Sequence, residues 1–380
     1  MVYDFVVLGS TGMQGRIVSK DLLGKGYSVL LCGRDKQRVD PLLKKYPRAR
    51  FEYLDMSDRK NASNVVGRSG ANVVVNCVEG DWNLESLKIC SALGVHSIDL
   101  GSDMKMTKDQ LAMSDTLKRK GIIHITGCGS VPGIGNVMLR HAVQKLDNVR
   151  DVDVGFAWGS NMEEFVVPFS IQSIIEEFIT PAPYINRGRF VTINPMESIE
   201  IKHHRAIGKQ RQFTIGHHPE TYTFYNYCKK KGVKNVRFFA GFPDHSFDNI
   251  KMMIDLGLGN TEEIEFQGMK IKPVEFLREV LKNLEVPEGY TEKENLWVEL
   301  RGSDKTILME CIVPTLKGWE DAGCNVDTGL PASIIAQMIK NKVIQESGSY
   351  APEEVVPVEL FFKELRSRNM DVYENGKIIN

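Results

Sequence analysis

Short apolar runs and helical periods alternate along the first third of the chain. Residues 3–8 form an apolar run that ends in glycine. Residues 12–24 then carry Ile17, Val18, Leu22 and Leu23 on one helical side. The alternation recurs, predicting strands at 28–32, 49–54, 72–77, 96–100 and 122–126. Helices are predicted at 38–45, 61–68, 84–93 and 107–120. A repeated strand–helix order of this kind builds a parallel sheet with right-handed crossovers. The pattern changes after Gly133-Ile134-Gly135. Strands are expected at 149–158, 190–193, 198–202, 236–241, 263–266, 296–299 and 306–313, with helices at 170–178 and 274–284. That mixture predicts an α+β unit with a mixed or antiparallel sheet. Two last helices are expected at 330–342 and 358–368. Pro331 falls near the start of the first, where proline costs little.

Composition narrows the function classes. Hydrophobic residues make up 42% of the 380 and charged ones 26%, enough for a sizeable core. The 48 basic and 49 acidic side chains leave a net charge of −1, so no bulk attraction to nucleic acid or anionic membrane is expected. No window reaches the ~18 apolar residues of a membrane span, and the first residues lack a signal-peptide pattern. The seven cysteines are scattered and none forms a C-x-x-C pair. A zinc site or disulfide framework is therefore not expected, and a reducing cytoplasm fits best.

The chemistry starts at Val6-Val7-Leu8-Gly9-Ser10-Thr11-Gly12-Met13-Gln14-Gly15, where a strand runs into a glycine-rich turn and then a helix. In that setting Gly9 allows a tight turn, Gly12 a close approach to a pyrophosphate, and Gly15 tight helix–strand packing. Unpaired N–H groups at the helix start would hold the phosphates. This is a Rossmann-type dinucleotide site, a doubly wound parallel sheet with α/β architecture. The second strand ends at Cys32-Gly33-Arg34-Asp35. Arg34 favours the 2′-phosphate of NADP, while Asp35 keeps NAD open. Asp55 is placed near the adenine, and Cys77 and Val78 at the fourth strand end. Asp99, Gly101 and Ser102 follow the fifth. Ligands bind at this carboxyl edge of such sheets.

Those residues resemble the saccharopine dehydrogenase-like family, which includes lysine 6-dehydrogenases and carboxynorspermidine dehydrogenases. The resemblance runs through Gly9 to Gly15, Val74-Val75-Asn76-Cys77-Val78, Ser97-Ile98-Asp99-Leu100-Gly101 and Gly127-Cys128-Gly129-Ser130-Val131-Pro132-Gly133-Ile134-Gly135-Asn136. It continues to Gly329-Leu330-Pro331-Ala332, Ala351-Pro352-Glu353 and Phe361-Phe362-Lys363-Glu364-Leu365. It implies three parts: a Rossmann domain over 1–135, an inserted α+β substrate and dimerisation domain over 136–328, and C-terminal helices over 329–380 that return to the first domain. It also implies a homodimer, and reversible hydride transfer between NAD(P) and a carbon–nitrogen bond of an amino acid or imine adduct, as in lysine metabolism. The sequence departs at Val131, where fungal-type saccharopine reductases carry an aspartate. That places it nearer the lysine-dehydrogenase side.

Such chemistry needs a group to move protons and a cation for a substrate carboxylate. Asp99, Glu79 and His204 are the proton-transfer candidates, with Asp103 a further one. Arg237 and His218 are the substrate-binding candidates. Two His-His pairs, at 203–204 and 217–218, do not suggest a metal, because neighbouring strand residues face opposite ways. Glu163-Glu164 and Lys229-Lys230-Lys231 read as solvated charge. Reduction of another imine or an enoyl group, and a cofactor-binding sensor without turnover, stay open as alternatives.

Overall fold

Apolar runs in the first third become strands, the central ones buried on both faces. In a computed structural model describing residues 2–166, 171–216, 218–281 and 283–380, these are β1 Phe5–Leu8, β2 Val29–Gly33, β3 Ala49–Tyr53, β4 Val73–Asn76, β5 His96–Asp99 and β6 Ile123–Ile125. They pair in parallel in the order β6-β5-β4-β1-β2-β3. Val73, Val74 and Val75 are fully buried. That is why β4 reads as a continuous apolar run rather than an alternating one. Each such side chain contributes ~1.5–3 kcal/mol by leaving water.

A seventh strand completes this sheet from far along the chain. Gly348–Tyr350 pairs in parallel with β6. The helix Val326–Lys340 lies against the first helix, Met13–Gly24. A Cβ on Gly329 would fall 2.7 Å from Ile17 Cβ, so only glycine permits this approach. Buried Arg368 donates to both carboxylate oxygens of Asp21, at 3.0 and 2.8 Å, and Ser333 donates to the same carboxylate. The C-terminal part thus touches both the first helix and the parallel sheet. It has two unforeseen features: the extra parallel strand, and a last hairpin, Asp371–Glu374 with Lys377–Ile378, that joins the other sheet.

That other sheet has ten strands and is mixed. Its centre is Asp151–Ser160, flanked in parallel by Asn235–Phe242 and antiparallel by Glu292–Arg301. One face, here called inner, packs toward the helix Ile134–Gln144 and the helices of the second domain. It carries Phe156, Trp158, Phe238, Phe242 and Leu296, all buried. The opposite, outer face carries Asp153, Arg237, Phe239, Trp297 and Glu299. The hairpin formed by Glu200–His204 and Gly208–Thr214 folds over it, placing Lys202 Nζ 3.6 Å from the Trp297 ring centre. Several expectations shift in detail. The predicted helix 107–120 is two helices, Met104–Leu111 and Ser114–Lys120. Pro331 sits inside its helix rather than at the first turn. Helix Ile171–Ile179 matches the expected 170–178, and Pro273–Leu281 the expected 274–284. Ser170, Pro168, His217 and residue 282 lie outside the described residues.

Candidate active site

The glycine turn forms a cleft at the carboxyl edge of β1. Gly9 has φ +74, and a Cβ there would sit 2.7 Å from the Cys77 carbonyl oxygen. A Cβ on Gly15 would overlap the Gly9 carbonyl, so helix and turn touch through bare backbone. Gly12 caps the twelve-residue helix Met13–Gly24 without a side chain. The first-turn N–H groups of that helix have no helical acceptors, which makes an anion-binding end. Gly9, Thr11, Gly12, Arg34, Asp55, Cys77, Val78 and Glu79 line the cleft. These residues fit a dinucleotide, with the glycines making room for pyrophosphate. Met13 opens the helix and is exposed, while the Gln14 amide oxygen is buried toward Gly329 rather than in the cleft. Ser10 faces away, its hydroxyl donating to the Cys32 carbonyl at 3.1 Å. It ties β1 to β2 rather than reaching the cleft.

The choice of nucleotide is made at the end of β2. Arg38 joins Arg34 on the cleft wall, a residue the sequence reading missed although it lies one helical turn on. Asp35 is turned aside: its carboxylate accepts from Gln37 N at 3.0 Å and pairs with Arg38 at 3.5 Å. Two hydrogen bonds from Ser57 hold the exposed Asp55 carboxyl below its ordinary range, with Arg34 adding to the effect. Two guanidinium groups on one wall suit a phosphate better than a bare ribose hydroxyl.

The proton-transfer expectations need correction. Asp99 is 1% exposed and saturated. One oxygen accepts from Gly101 N, Thr126 Oγ1 and Gly127 N at 2.8–3.0 Å; the other accepts from Gln110 Nε2 at 2.5 Å. It is a positioning residue that shapes the turn after β5 and β6. Gly101, with φ +100, packs so closely there that a Cβ would meet Pro132 Cγ at 2.7 Å. Glu79 stands exposed on the rim of the nucleotide cleft, where water competes for any proton it carries. Asp103 caps the helix Met104–Leu111 through Met106 N. His204 ends the first strand of the hairpin over the outer face, 5.7 Å from the Trp297 ring centre, and burial pushes its imidazole down to about 3. Arg237 is on that same outer face, in a fork with Asp153 at 3.1 and 3.2 Å. Its guanidinium is held there by that carboxylate.

His218 does reach the turn. Its ring donates to the Val131 carbonyl, lies 3.7 Å from Glu220 and stacks on Phe238 at 3.9 Å. Burial works against its charged form, but Glu220 and Glu177 outweigh it and raise its pKa. Glu177, 7% exposed, is pushed up to about 8, chiefly by burial. On the other side of the turn stand Glu292 and Glu294, on the inner face of their strand, and Asp327 at the start of the helix Val326–Lys340. Thr328 Oγ1 is 3.4 Å from Ser130 Oγ and 3.1 Å from Asp327 Oδ1. None of these three acids was singled out from the sequence. The signal was present: acids at 292 and 294 share the strand parity of Leu296 and Val298. Burial disfavours the thiolate form at the cysteines near the cleft and the turn. Burial raises Cys77 and Cys128, both beside Asp99, and Cys32 and Cys90 rise to about 12. Among the described residues no group of three potential ligands could hold a metal, and no helix is long and apolar enough to cross a membrane.

A glycine-cradled dinucleotide cleft at the strand ends of a parallel sheet defines a Rossmann-fold oxidoreductase. The family models agree. The saccharopine dehydrogenase NADP binding domain matches residues 5–125 and the saccharopine dehydrogenase C-terminal domain matches 129–370. The chain belongs to the saccharopine dehydrogenase family and is an NADP-binding oxidoreductase. It is 22% identical over 377 residues to a carboxyaminopropylagmatine dehydrogenase of Synechocystis sp., covering 93% of this chain and 92% of that one. It is 24% identical over 241 residues to a carboxynorspermidine synthase of Vibrio cholerae, covering 60% and 57%. In structure it matches the apo histidine-tagged saccharopine dehydrogenase (L-Glu forming) of Saccharomyces cerevisiae over 100% of both chains. The TM-score is 0.74 at 12% identity, a likeness of fold.

Proposed function

We propose that the protein makes or breaks a carbon–nitrogen bond between a carboxylate-bearing unit and an amine, using NADP. The observation that carries this is the cluster of Glu292, Glu294 and Asp327, which Thr328 joins to Ser130 and Gly129 of the 129–132 turn. Bound in the cleft, the cofactor supplies or accepts a hydride. Gly9, Gly12, Gly15, Arg34 and Arg38 would hold it. In the oxidative direction the secondary amine loses a hydride from carbon and a proton from nitrogen, leaving an imine that water cleaves. The proton needs an acceptor near the turn. Carboxyl groups whose pKa lies near neutrality suit that task, and Asp327 is raised to about 6, first by burial. Asp99 would fix the two strand-end loops that frame the reacting carbon.

The names of the two sequence relatives move the substrate reading from lysine toward carboxyalkylated polyamines. A reducing, cytoplasmic setting fits the seven free thiols. A second copy of the chain would cover the exposed Phe266, Met269, Phe276 and Val280 of the second domain. The test is a screen at the reduced-nicotinamide absorbance band, offering NADP with saccharopine, lysine and N-carboxyalkyl diamines, on material whose mass is read by light scattering. Turnover of a carboxyalkyl diamine by a dimer is expected. Nucleotide binding without turnover of any of them would favour a sensor, and a monomer would remove the dimer.

A further inference from the structure

The acids of the second sheet differ in their partners. Among the described residues, no lysine, arginine or histidine pairs with Glu292, Glu294 or Asp327. Glu292 accepts from Cys324 N at 2.8 Å, Trp158 Nε1 at 3.0 Å and Tyr290 Oη at 3.1 Å, all neutral donors. Asp327 is 2% exposed and its Oδ2 has no hydrogen-bond donor. Pro331, four residues on in the same helix, has no N–H to give to the Asp327 carbonyl. Glu294, half-buried, turns its carboxyl to that of Asp327 across the gap between strand and helix. Buried acids without a counter-charge are costly unless they share a proton or receive a cation.

We infer that Glu294 and Asp327, with Glu292 behind them, form the subsite that receives a protonated amine of the substrate. The inference rests on the reading of that substrate as an amine adduct. An ammonium brings three donors and one positive charge. It would satisfy Asp327 Oδ2 and replace the proton the two carboxyls otherwise share. The flanking side chains offer no rival cation. Cys311 and Cys324 are thiols pushed far up, first by burial and then by these acids, and Tyr290 is raised by burial and then by Glu292. Thr328 and Ser130 link the subsite to the turn beside Gly101, so an amine held there lies within reach of the reacting centre.

Binding should therefore strengthen as pH rises, since both carboxyls must ionise to hold the cation fully. Burial raises both, Asp327 to about 6 and Glu294 well above its ordinary range; the Glu292 charge adds to each, and the Asp327 carboxylate adds further at Glu294 while the Glu294 contact holds Asp327 down. The experiment is calorimetric titration of the NADPH-bound protein with 1,4-diaminobutane, against 1-butanol and glutarate, from pH 5.5 to 8. The expected result is diamine binding that tightens about tenfold over this range and releases protons to the buffer. Glu294→Gln and Asp327→Asn should each weaken it about tenfold or more while NADPH still binds. Unchanged diamine affinity in both variants would overturn the subsite, and so would glutarate binding better than diamine. If a variant does not fold, the wild-type pH profile decides alone: a flat profile, or no diamine binding, overturns the inference. Failure to bind NADPH at all would instead overturn the oxidoreductase reading.

Discussion

The two faces of the ten-stranded sheet carry acids in opposite states. On the outer face each has a base. Asp153 meets Arg237 at 3.1 Å and Arg301 at 2.7 Å, Asp151 meets Arg150 at 2.9 Å, Glu299 pairs with Lys202 and Arg301, and Glu310 meets Arg205 at 3.0 Å. On the inner side Glu292, Glu294 and Asp327 have none among the described residues, and Glu177 and Glu220 share one histidine. The outer network is closed and serves the fold. The inner groups hold charge in reserve for something that arrives. Strand parity alone assigns a residue to one population or the other, which is why Arg237 and His204 belong to the first despite their catalytic types.

The contrast can be broken from either side. The largest expected effect is on the outer face. Asp153→Ala leaves Arg237 and Arg301 without their shared carboxylate, and should lower unfolding free energy by about 2–4 kcal/mol in urea. The matching loss at Glu294→Gln should be under ~1 kcal/mol, because an amide removes a poorly compensated charge. Equal losses at the two positions would erase the distinction. A smaller effect sharpens it through pH. The Glu177 pKa is raised on folding to about 8. Its contribution is therefore fully present below the ordinary carboxyl range and is lost as pH climbs toward 8. Glu177→Gln should leave thermal stability unchanged near pH 5 and raise it by a few degrees near pH 8, roughly 1 kcal/mol or more. A variant that is equally destabilised at both values would show that Glu177 is ionised and paired.

Much of this was legible in the sequence, for physical reasons that also mark where legibility stopped. The parallel sheet announced itself because double-sided burial forces runs such as Val73-Val74-Val75, and the nucleotide turn because Gly9 and Gly15 have no space for a Cβ. The strand Gly348–Tyr350 did not. It is Gly-Ser-Tyr, and only its pairing with β6 makes it extended. Gly208–Thr214 was missed because its alternation is of glutamines against a polar layer, not of apolar residues. The substrate side was least readable. Parity within the expected strand 236–241 puts Arg237 and Phe239 on one face, but the strand expected at 296–299 stopped short of Glu292 and Glu294. Parity could not say which face turns toward the nucleotide cleft, since that depends on how two sheets from distant parts of the chain meet.

The most direct measurement is a titration of the purified protein with NADPH and with NADH, repeated on Arg34→Ala. The account predicts tight NADPH binding, weaker NADH binding, and a loss of about tenfold or more in the variant for NADPH alone. No binding of either nucleotide, or equal loss of both in the variant, would contradict it.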